Sequence, residues 1–265
     1  MSVLKSQRTL SRHEYVNTFL KLYKHTEEKL SKMSKRKRKF LADPIIVIMN
    51  DIFNDVTEMN NEYFNYGIKQ LSKKQQATQI IDKILSLQKP LVTLWSIEQY
   101  KANRMQTWAD LLNEEINHFV RIGGLQFEQE RFMFILNFDT IKNAEFLNNM
   151  WEMQKFIYSK IVSLPIKYRD TTGEQLKMLA DEAFYHLYEA NRYVPKNKAM
   201  YEKRKEHIEI AFDRVKKLQI PTINLFLQMQ YSEETMIRWS FLIDKEMKLI
   251  RGLIKSDVKR FGDLA

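Results

Sequence analysis

The chain has 265 residues, of which 44% are apolar and 29% are charged, and its formal net charge is +10. This composition is typical of soluble globular proteins, and the length allows two cores of ordinary size. Because cysteine is absent, disulfides and cysteine-based metal sites are excluded, and we expect a cytoplasmic protein. The apolar run at residues 44–49 is too short to span a membrane, so no membrane partner is expected.

A fixed offset of 131 positions relates two parts of the chain. Residues 14–115 align without a gap with residues 145–246. The identical pairs include Asn17/Asn148, Pro90/Pro221, Tyr100/Tyr231 and Trp108/Trp239. A period of this length is that of a small domain, not of a solenoid repeat, and predicts an internal duplication.

Apolar residues recur with helical spacing in four stretches of each copy. The sequence therefore predicts an all-α protein made of two tandem four-helix bundles. The low content of glycine and proline, 6 and 5 residues, favours long helices over a sheet. In chain order the stretches are residues 15–33, 45–59, 77–85 and 108–122 in copy one, and residues 146–164, 176–187, 208–218 and 239–253 in copy two.

This pattern predicts that the chain is divided into three parts. Residues 1–124 are predicted to form the first bundle and residues 144–265 the second. The glycine pair Gly123 and Gly124 is typical of a helix end. Residues 125–143 are predicted to be an apolar interdomain segment that packs against the bundles rather than a solvated linker.

The densest positive charge lies between the first two predicted helices of copy one. Five consecutive cations can contact several phosphates, and each contact adds affinity by releasing counterions. The other interpretation is a solvated loop at the end of a bundle. These residues are Lys35, Arg36, Lys37, Arg38 and Lys39.

Smaller basic groups begin the third predicted helix in both copies, and we include them in the predicted nucleic-acid-binding surface. Tyr168, Tyr193 and Tyr201 lie near the cations of copy two, where they either stack on bases or belong to the core and rim. The basic groups consist of Lys73 and Lys74 in copy one and Lys203, Arg204 and Lys205 in copy two.

Glu115 and His118 have the spacing that di-iron bundles use for metal ligands. Copy two has Glu246 but places Leu249 where the histidine would be, so we expect neither a metal nor any other cofactor. A structural polar contact is the favoured role of the shared glutamate. No phosphate loop or nucleophile motif is present, and no catalytic residues are predicted.

Both ends of the chain resemble one family of helical proteins. Residues 1–8 and the tryptophan-anchored segment 239–250 are similar to the accessory variability determinant proteins, which are encoded beside reverse transcriptases in diversity-generating retroelements. The resemblance implies a non-enzymatic partner that binds the reverse transcriptase and its template RNA or cDNA. Family members are single bundles that form ring-like pentamers, whereas this chain holds two copies, so a homo-oligomer is a possible but open expectation.

The sequence thus leads to two hypotheses of different classes. The first is a nucleic-acid-binding accessory protein of a reverse transcriptase, which acts through basic surfaces. The alternative is a helical protein-interaction scaffold that does not bind nucleic acid.

Overall fold

The computed structural model describes residues 14–60, 72–98, 100, 102–125, 138–229 and 231–264. Within these ranges the chain forms helices and no strand, which confirms the all-α prediction. None of the described helices is long and apolar enough to cross a membrane. The chain divides into two compact units, Met1–Leu136 and Asn137–Ala265.

The described residues of unit 1 form four long helices and two short ones. Helix α4 begins with a capping box, in which Ser72 and Gln75 satisfy each other's backbone N–H groups. Helix α6 is followed by Gly124, whose φ of 57° favours glycine at this position after a helix. The helices are α1 (Glu14–Leu30), α2 (Lys35–Lys37), α3 (Asp43–Asn60), α4 (Lys73–Ser86), α5 (Gln88–Glu98) and α6 (Ala102–Gly123), and the π-helical turn Arg38–Ala42 joins α2 to α3.

Unit 2 repeats this order after the short helix α7, whose counterpart positions 7–12 lie outside the described residues. The side chains of Asn197 and Ser232 cap the starts of its third and fourth long helices. The helices are α7 (Phe138–Asn143), α8 (Glu145–Ser163), α9 (Ile166–Tyr168), α10 (Glu174–Arg192), α11 (Lys198–Lys217), α12 (Gln219–Met229) and α13 (Glu233–Phe261), with a second π-helical turn at Arg169–Gly173 and a final 3₁₀ turn at Gly262–Leu264.

The offset of 131 found in the sequence also relates the helix boundaries. Helices α1, α2, α3, α5 and α6 begin 131 positions before α8, α9, α10, α12 and α13, respectively. The two π-helical turns obey the same relation, and so do the breaks at Leu87 and Leu218. The two copies therefore share one local framework at these five helix starts. Helix α11 departs from it, because it begins at Lys198, six positions before Arg204, the counterpart of Lys73 at the start of α4.

The four long helices of each unit form a closed cycle of contacts. In unit 1, α1 contacts α3, α3 contacts α4, α4 contacts α6, and α6 returns to α1; α8, α10, α11 and α13 repeat this cycle in unit 2. Trp108 and Trp239 are fully buried, as the apolar stripes predict. The arrangement of two tandem four-helix bundles remains a prediction, and residues 126–137 of the predicted interdomain segment lie outside the described residues.

Each core also buries a carboxyl group, at positions 131 residues apart. Glu115 on α6 and Glu246 on α13 are completely inaccessible to solvent. The side chain of Asn149 donates a hydrogen bond of 2.7 Å to Oε2 of Glu246, whereas neither oxygen of Glu115 has a hydrogen-bond partner within the described residues. Burial raises the pKa of Glu115 to about 9, with a further contribution from Glu114, and burial raises the pKa of Glu246 to about 8.

These carboxyl groups make the stability of the fold depend on pH in a defined direction. Because their pKa values are raised in the folded state, the folded chain binds more protons than the unfolded chain. The stabilisation that results from this proton binding is complete below the ordinary pKa of about 4.5 and is lost as the pH rises towards 8 or 9.

We expect Glu246→Gln to remove one of these two titrations. Between pH 5 and pH 8, the free energy of unfolding should fall less steeply in the variant, by up to about 1.4 kcal/mol per pH unit. Urea unfolding at a series of pH values measures the slope. Glu209→Gln, at an exposed position, is the matched control. An unchanged slope in Glu246→Gln would show that the buried carboxyl does not titrate as described.

Candidate polyanion-binding pocket

The basic run at residues 35–39 is helical rather than a loop. It forms helix α2 and the first two residues of the π-helical turn Arg38–Ala42. Lys35, Lys37, Arg38 and Lys39 are exposed, while the last three residues of the turn are buried in the core. The structure does not describe the side chain of Arg36. The buried end of the turn thus anchors a cationic surface to the unit.

Lys37 belongs to a pocket of about 380 Å³ that also collects cations from two other elements. Lys29 lies at the end of α1, Lys32 follows that helix, and Arg104 lies in the first turn of α6. The lining is completed by Met33, Ser34, Glu98 and Tyr100. The fold thereby brings together four positive charges that are separated by as many as 75 positions in the sequence.

Among the described residues, Glu98 is the one acid that lines this pocket. Oε1 of Glu98 accepts a hydrogen bond of 2.7 Å from the ammonium group of Lys37, which is half-exposed. Set against this one carboxylate, the four cations leave the lining with three uncompensated positive charges. A concave surface with such an excess attracts anions.

Tyr100 supplies an aromatic ring beside the cations. The guanidinium carbon of Arg104 lies 5.7 Å from the centre of the Tyr100 ring. The Tyr100 ring also packs against the buried ring of Trp108, with the two ring centres 6.0 Å apart. The indole N–H of Trp108 donates a hydrogen bond of 2.9 Å to the hydroxyl of Thr26, which fixes the position of the indole ring. Burial, followed by the charge of Glu98, raises the pKa of Tyr100, so its hydroxyl remains a neutral donor at physiological pH.

His25 does not add charge next to this pocket. Its ring packs edge-on against Trp108 at 5.0 Å. Burial lowers the pKa of His25, and the neighbouring Lys29 lowers it further. The imidazole is therefore neutral at pH 7, and the positive charge of the pocket comes from its lysines and arginine.

The smaller predicted basic groups do not line this pocket. Lys73 and Lys74 are exposed in the first turn of α4, where the helix dipole does not stabilise cations. Lys205 is exposed in unit 2. The ammonium group of Lys203 lies 5.1 Å from the centre of the Tyr193 ring, and burial lowers its pKa.

The prediction that Arg204 belongs to an external binding surface is wrong. Its guanidinium is buried and donates hydrogen bonds to both carboxylate oxygens of Asp257 on α13. It also donates to the carbonyl oxygens of Ala190 and Tyr193 at the end of α10. These bonds use four of the five N–H groups of the guanidinium and tie three segments of unit 2 together.

Removal of one partner from this ion pair should be costly. We expect Asp257→Ala to lower the free energy of unfolding by about 3–5 kcal/mol, because it leaves a buried guanidinium without its counter-ion. Denaturant unfolding measures the loss, and Lys205→Ala at the neighbouring exposed position should change it by less than about 0.5 kcal/mol. Equal effects of the two substitutions would contradict the structural role of the pair.

The tyrosines near the basic group of copy two are occupied within the unit. Tyr201 is buried in the core, as the core interpretation predicts. The ring of Tyr193 stacks on His207 at 6.0 Å with an angle of 13°. The ammonium group of Lys167 lies 4.6 Å from the ring of Tyr168. Of the three tyrosines, Tyr201 is therefore a core residue, while Tyr168 and Tyr193 contact other side chains of unit 2.

Unit 2 provides a natural comparison for the pocket, since the offset of 131 identifies its counterpart. The counterparts of Lys29 and Tyr100 are Lys160 and Tyr231, whose ammonium group and ring centre are 5.9 Å apart. The other three cations are replaced by neutral residues. Lys32, Lys37 and Arg104 correspond to Ser163, Tyr168 and Thr235, and Glu98 corresponds to Met229. The strongly cationic pocket is thus a property of unit 1.

Sequence reasoning identified Lys37 but missed Lys29, Lys32, Tyr100 and Arg104. The first two could have been found by extending the basic run upstream. Arg104 gave no such signal, because only the return of α6 to α1 brings it near.

Among the described residues, no group of three or more histidine, aspartate and glutamate side chains is arranged to hold a metal ion. Glu115 and His118 instead lie in separate surroundings: His118 contacts the hydroxyl of Thr18 at 3.2 Å, and Glu115 is enclosed by the core. No protein-family model, curated protein or solved structure matches the chain.

Proposed function

We propose that this chain is a non-enzymatic nucleic-acid-binding protein whose main contact with RNA is the basic pocket of unit 1. The observation that carries the proposal is the convergence of Lys29, Lys32, Lys37 and Arg104 around one concavity. The exposed side chains of Lys35, Arg38 and Lys39 add positive charge close to Lys37 in the sequence. Together they form a track for a chain of phosphates, in which each contact releases counterions.

The aromatic ring in the pocket favours a single-stranded nucleic acid over other polyanions. Proteins that bind single strands combine a cationic groove with aromatic rings on which bases stack. Tyr100 lies among the cations, packs against Trp108 and is only partly buried. Phosphates at the lysines and a base on Tyr100 would use both parts of the site.

The resemblance to accessory variability determinant proteins supplies the biological setting of the proposal. In that setting the chain binds a reverse transcriptase of a diversity-generating retroelement together with its template RNA or cDNA. The alternative, a helical scaffold without nucleic-acid binding, is favoured by a separate observation, namely exposed apolar side chains on α12 and α13 of unit 2.

Neutralising the pocket should weaken RNA binding and reduce its dependence on salt. The triple variant Lys29→Gln, Lys32→Gln, Arg104→Gln removes three phosphate contacts. For single-stranded RNA we expect the slope of log affinity against log salt concentration to become shallower by about two units. Titration of a labelled single-stranded RNA at several salt concentrations measures the slope, and thermal melting verifies that the variant is folded.

A control with the same change in net charge separates the pocket from a general effect of charge. Lys160→Gln, Lys255→Gln, Lys259→Gln removes three cations from unit 2, including the counterpart of Lys29. Its affinity and slope should stay close to those of the wild type. Equal losses in the two triple variants would reject the pocket as the site, and a wild-type chain that does not bind RNA would favour the scaffold.

Tyr100→Leu tests whether bases as well as phosphates are recognised. Loss of one stacked base should weaken RNA binding by about 1–3 kcal/mol while leaving the salt slope unchanged. Binding of heparin, which has negative charges but no bases, should not change. An equal loss for both polymers would show that the site recognises charge alone. Co-purification with the cognate reverse transcriptase, with and without RNA, tests the proposed partner separately.

A further inference from the structure

Unit 2 exposes a set of apolar side chains on two neighbouring helices. Ile220, Ile223 and Leu227 lie one helical turn apart on α12, and Ile237 and Phe241 do so on α13; all five are more than half exposed. A groove of about 520 Å³ separates the two rows. Ile223 and Phe241 lie in its lining, together with polar side chains, namely Gln219, Thr222, Ser240 and Asp244. A cluster of this kind on the surface of a soluble chain marks a contact with another molecule.

The same positions in unit 1 are arranged differently, which shows that the framework does not require this exposure. The counterparts of Ile237 and Phe241 are Gln106 and Asp110, two exposed polar residues joined by a hydrogen bond of 2.7 Å. The counterparts of Ile223 and Leu227 are Val92 and Ser96, which unit 1 buries in its own core. Only unit 2 combines exposure with apolar side chains at these positions.

The distribution of charge along α13 indicates the occupant of this face. The helix begins with two acids, Glu233 and Glu234, and Arg238 follows one turn later. Most of its exposed cations lie further along, at Lys248, Arg251 and Lys255, and Lys248 pairs with Asp244 of the same helix at 3.1 Å. Two copies of such a helix repel each other at both ends if they run parallel, whereas an antiparallel pair brings acids next to cations. The charge pattern of the helix therefore complements itself.

The register of this pairing follows from positions on one helical face. Glu234 and Lys248 each lie seven residues from Phe241, in opposite directions, so all three share a face of α13. If two antiparallel helices cross at Phe241, Glu234 of each lies opposite Lys248 of the other. The apolar row of α12 borders this contact and extends it into a layer.

We propose that this face of α12 and α13 binds the same face of a second copy of the chain about a two-fold axis. Phe241 lies at the centre, Ile237 and the apolar row of α12 surround it, and the pairs formed by Glu234 and Lys248 set the direction. A two-fold contact uses the same patch on both partners, so one self-complementary surface is sufficient. This proposal does not depend on nucleic-acid binding.

The first experiment measures the association state by sedimentation velocity over a range of protein concentrations. The wild type is expected to be dimeric at the higher concentrations. The variant Ile237→Gln, Phe241→Asp, which introduces the residues found at the same positions of unit 1, should raise the dissociation constant by at least about tenfold, or 1.4 kcal/mol. Both residues are exposed in the single chain, so the fold should survive, and circular dichroism checks this.

Val258→Gln is the matched control, because it removes an exposed apolar side chain from the same helix at about 25 Å from Phe241. The control should dimerise like the wild type. A wild type that is monomeric up to its solubility limit would overturn the proposal, and so would a folded Ile237→Gln, Phe241→Asp variant that still dimerises normally.

Exchange of charges tests the antiparallel register. Glu234→Lys and Lys248→Glu should each weaken dimerisation, since each places like charges opposite one another. The double variant should recover most of the affinity, because both pairs are restored with reversed sign. Recovery in the double variant supports a contact between these residues of two copies. Single variants that weaken association without recovery in the double variant would rule out the proposed register.

Discussion

Each unit must accommodate a carboxyl group and a tryptophan on the same face of its last long helix. Glu115 lies seven residues after Trp108, and Glu246 lies seven residues after Trp239, so each pair spans two turns of buried surface. Burial keeps both carboxyl groups protonated, and in unit 2 Asn149 on α8 holds one of them by a hydrogen bond. This arrangement fixes the rotation of the last helix in each unit. The residues exposed on its opposite face, including Phe241, are positioned as a result.

Because the two copies are related by a fixed offset, equivalent positions can be compared to see how the surfaces of the two units differ. Because equivalent helices begin at the same offset, the start of the last long helix is placed alike in both units. Unit 1 uses this region for Arg104 and the basic pocket, while unit 2 has Thr235 there and carries Ile237 and Phe241 nearby. One framework thus presents a cationic concavity in one copy and an apolar face in the other. The proposed functions follow from these surfaces rather than from a difference in fold.

The helices and the duplication could be predicted from the sequence because both depend on patterns that are local or strictly repeated. Apolar spacing marked the buried faces of Trp108 and Trp239. The pattern was less informative at residues 35–39, where clustered charge suggested a possible loop although Phe40, Leu41 and Ala42 anchor a π-helical turn. Charge alone also could not distinguish Arg204, which pairs with Asp257 across more than fifty positions, from the exposed Lys205 beside it. The pocket depends on such long-range contacts, and so only Lys37 among its cations was identified.

The ion pair between Lys37 and Glu98 affects which anionic ligands the pocket is expected to bind. An anion that approaches Lys37 must compete with a carboxylate that is already bound at 2.7 Å. A ligand with one phosphate would exchange one partner for another and gain little. A polymer can first engage Lys29, Lys32 and Arg104, which lie in the same lining, and then displace Glu98 at a high local concentration of phosphate. The resident carboxylate is therefore expected to discriminate against mononucleotides and to favour a continuous strand.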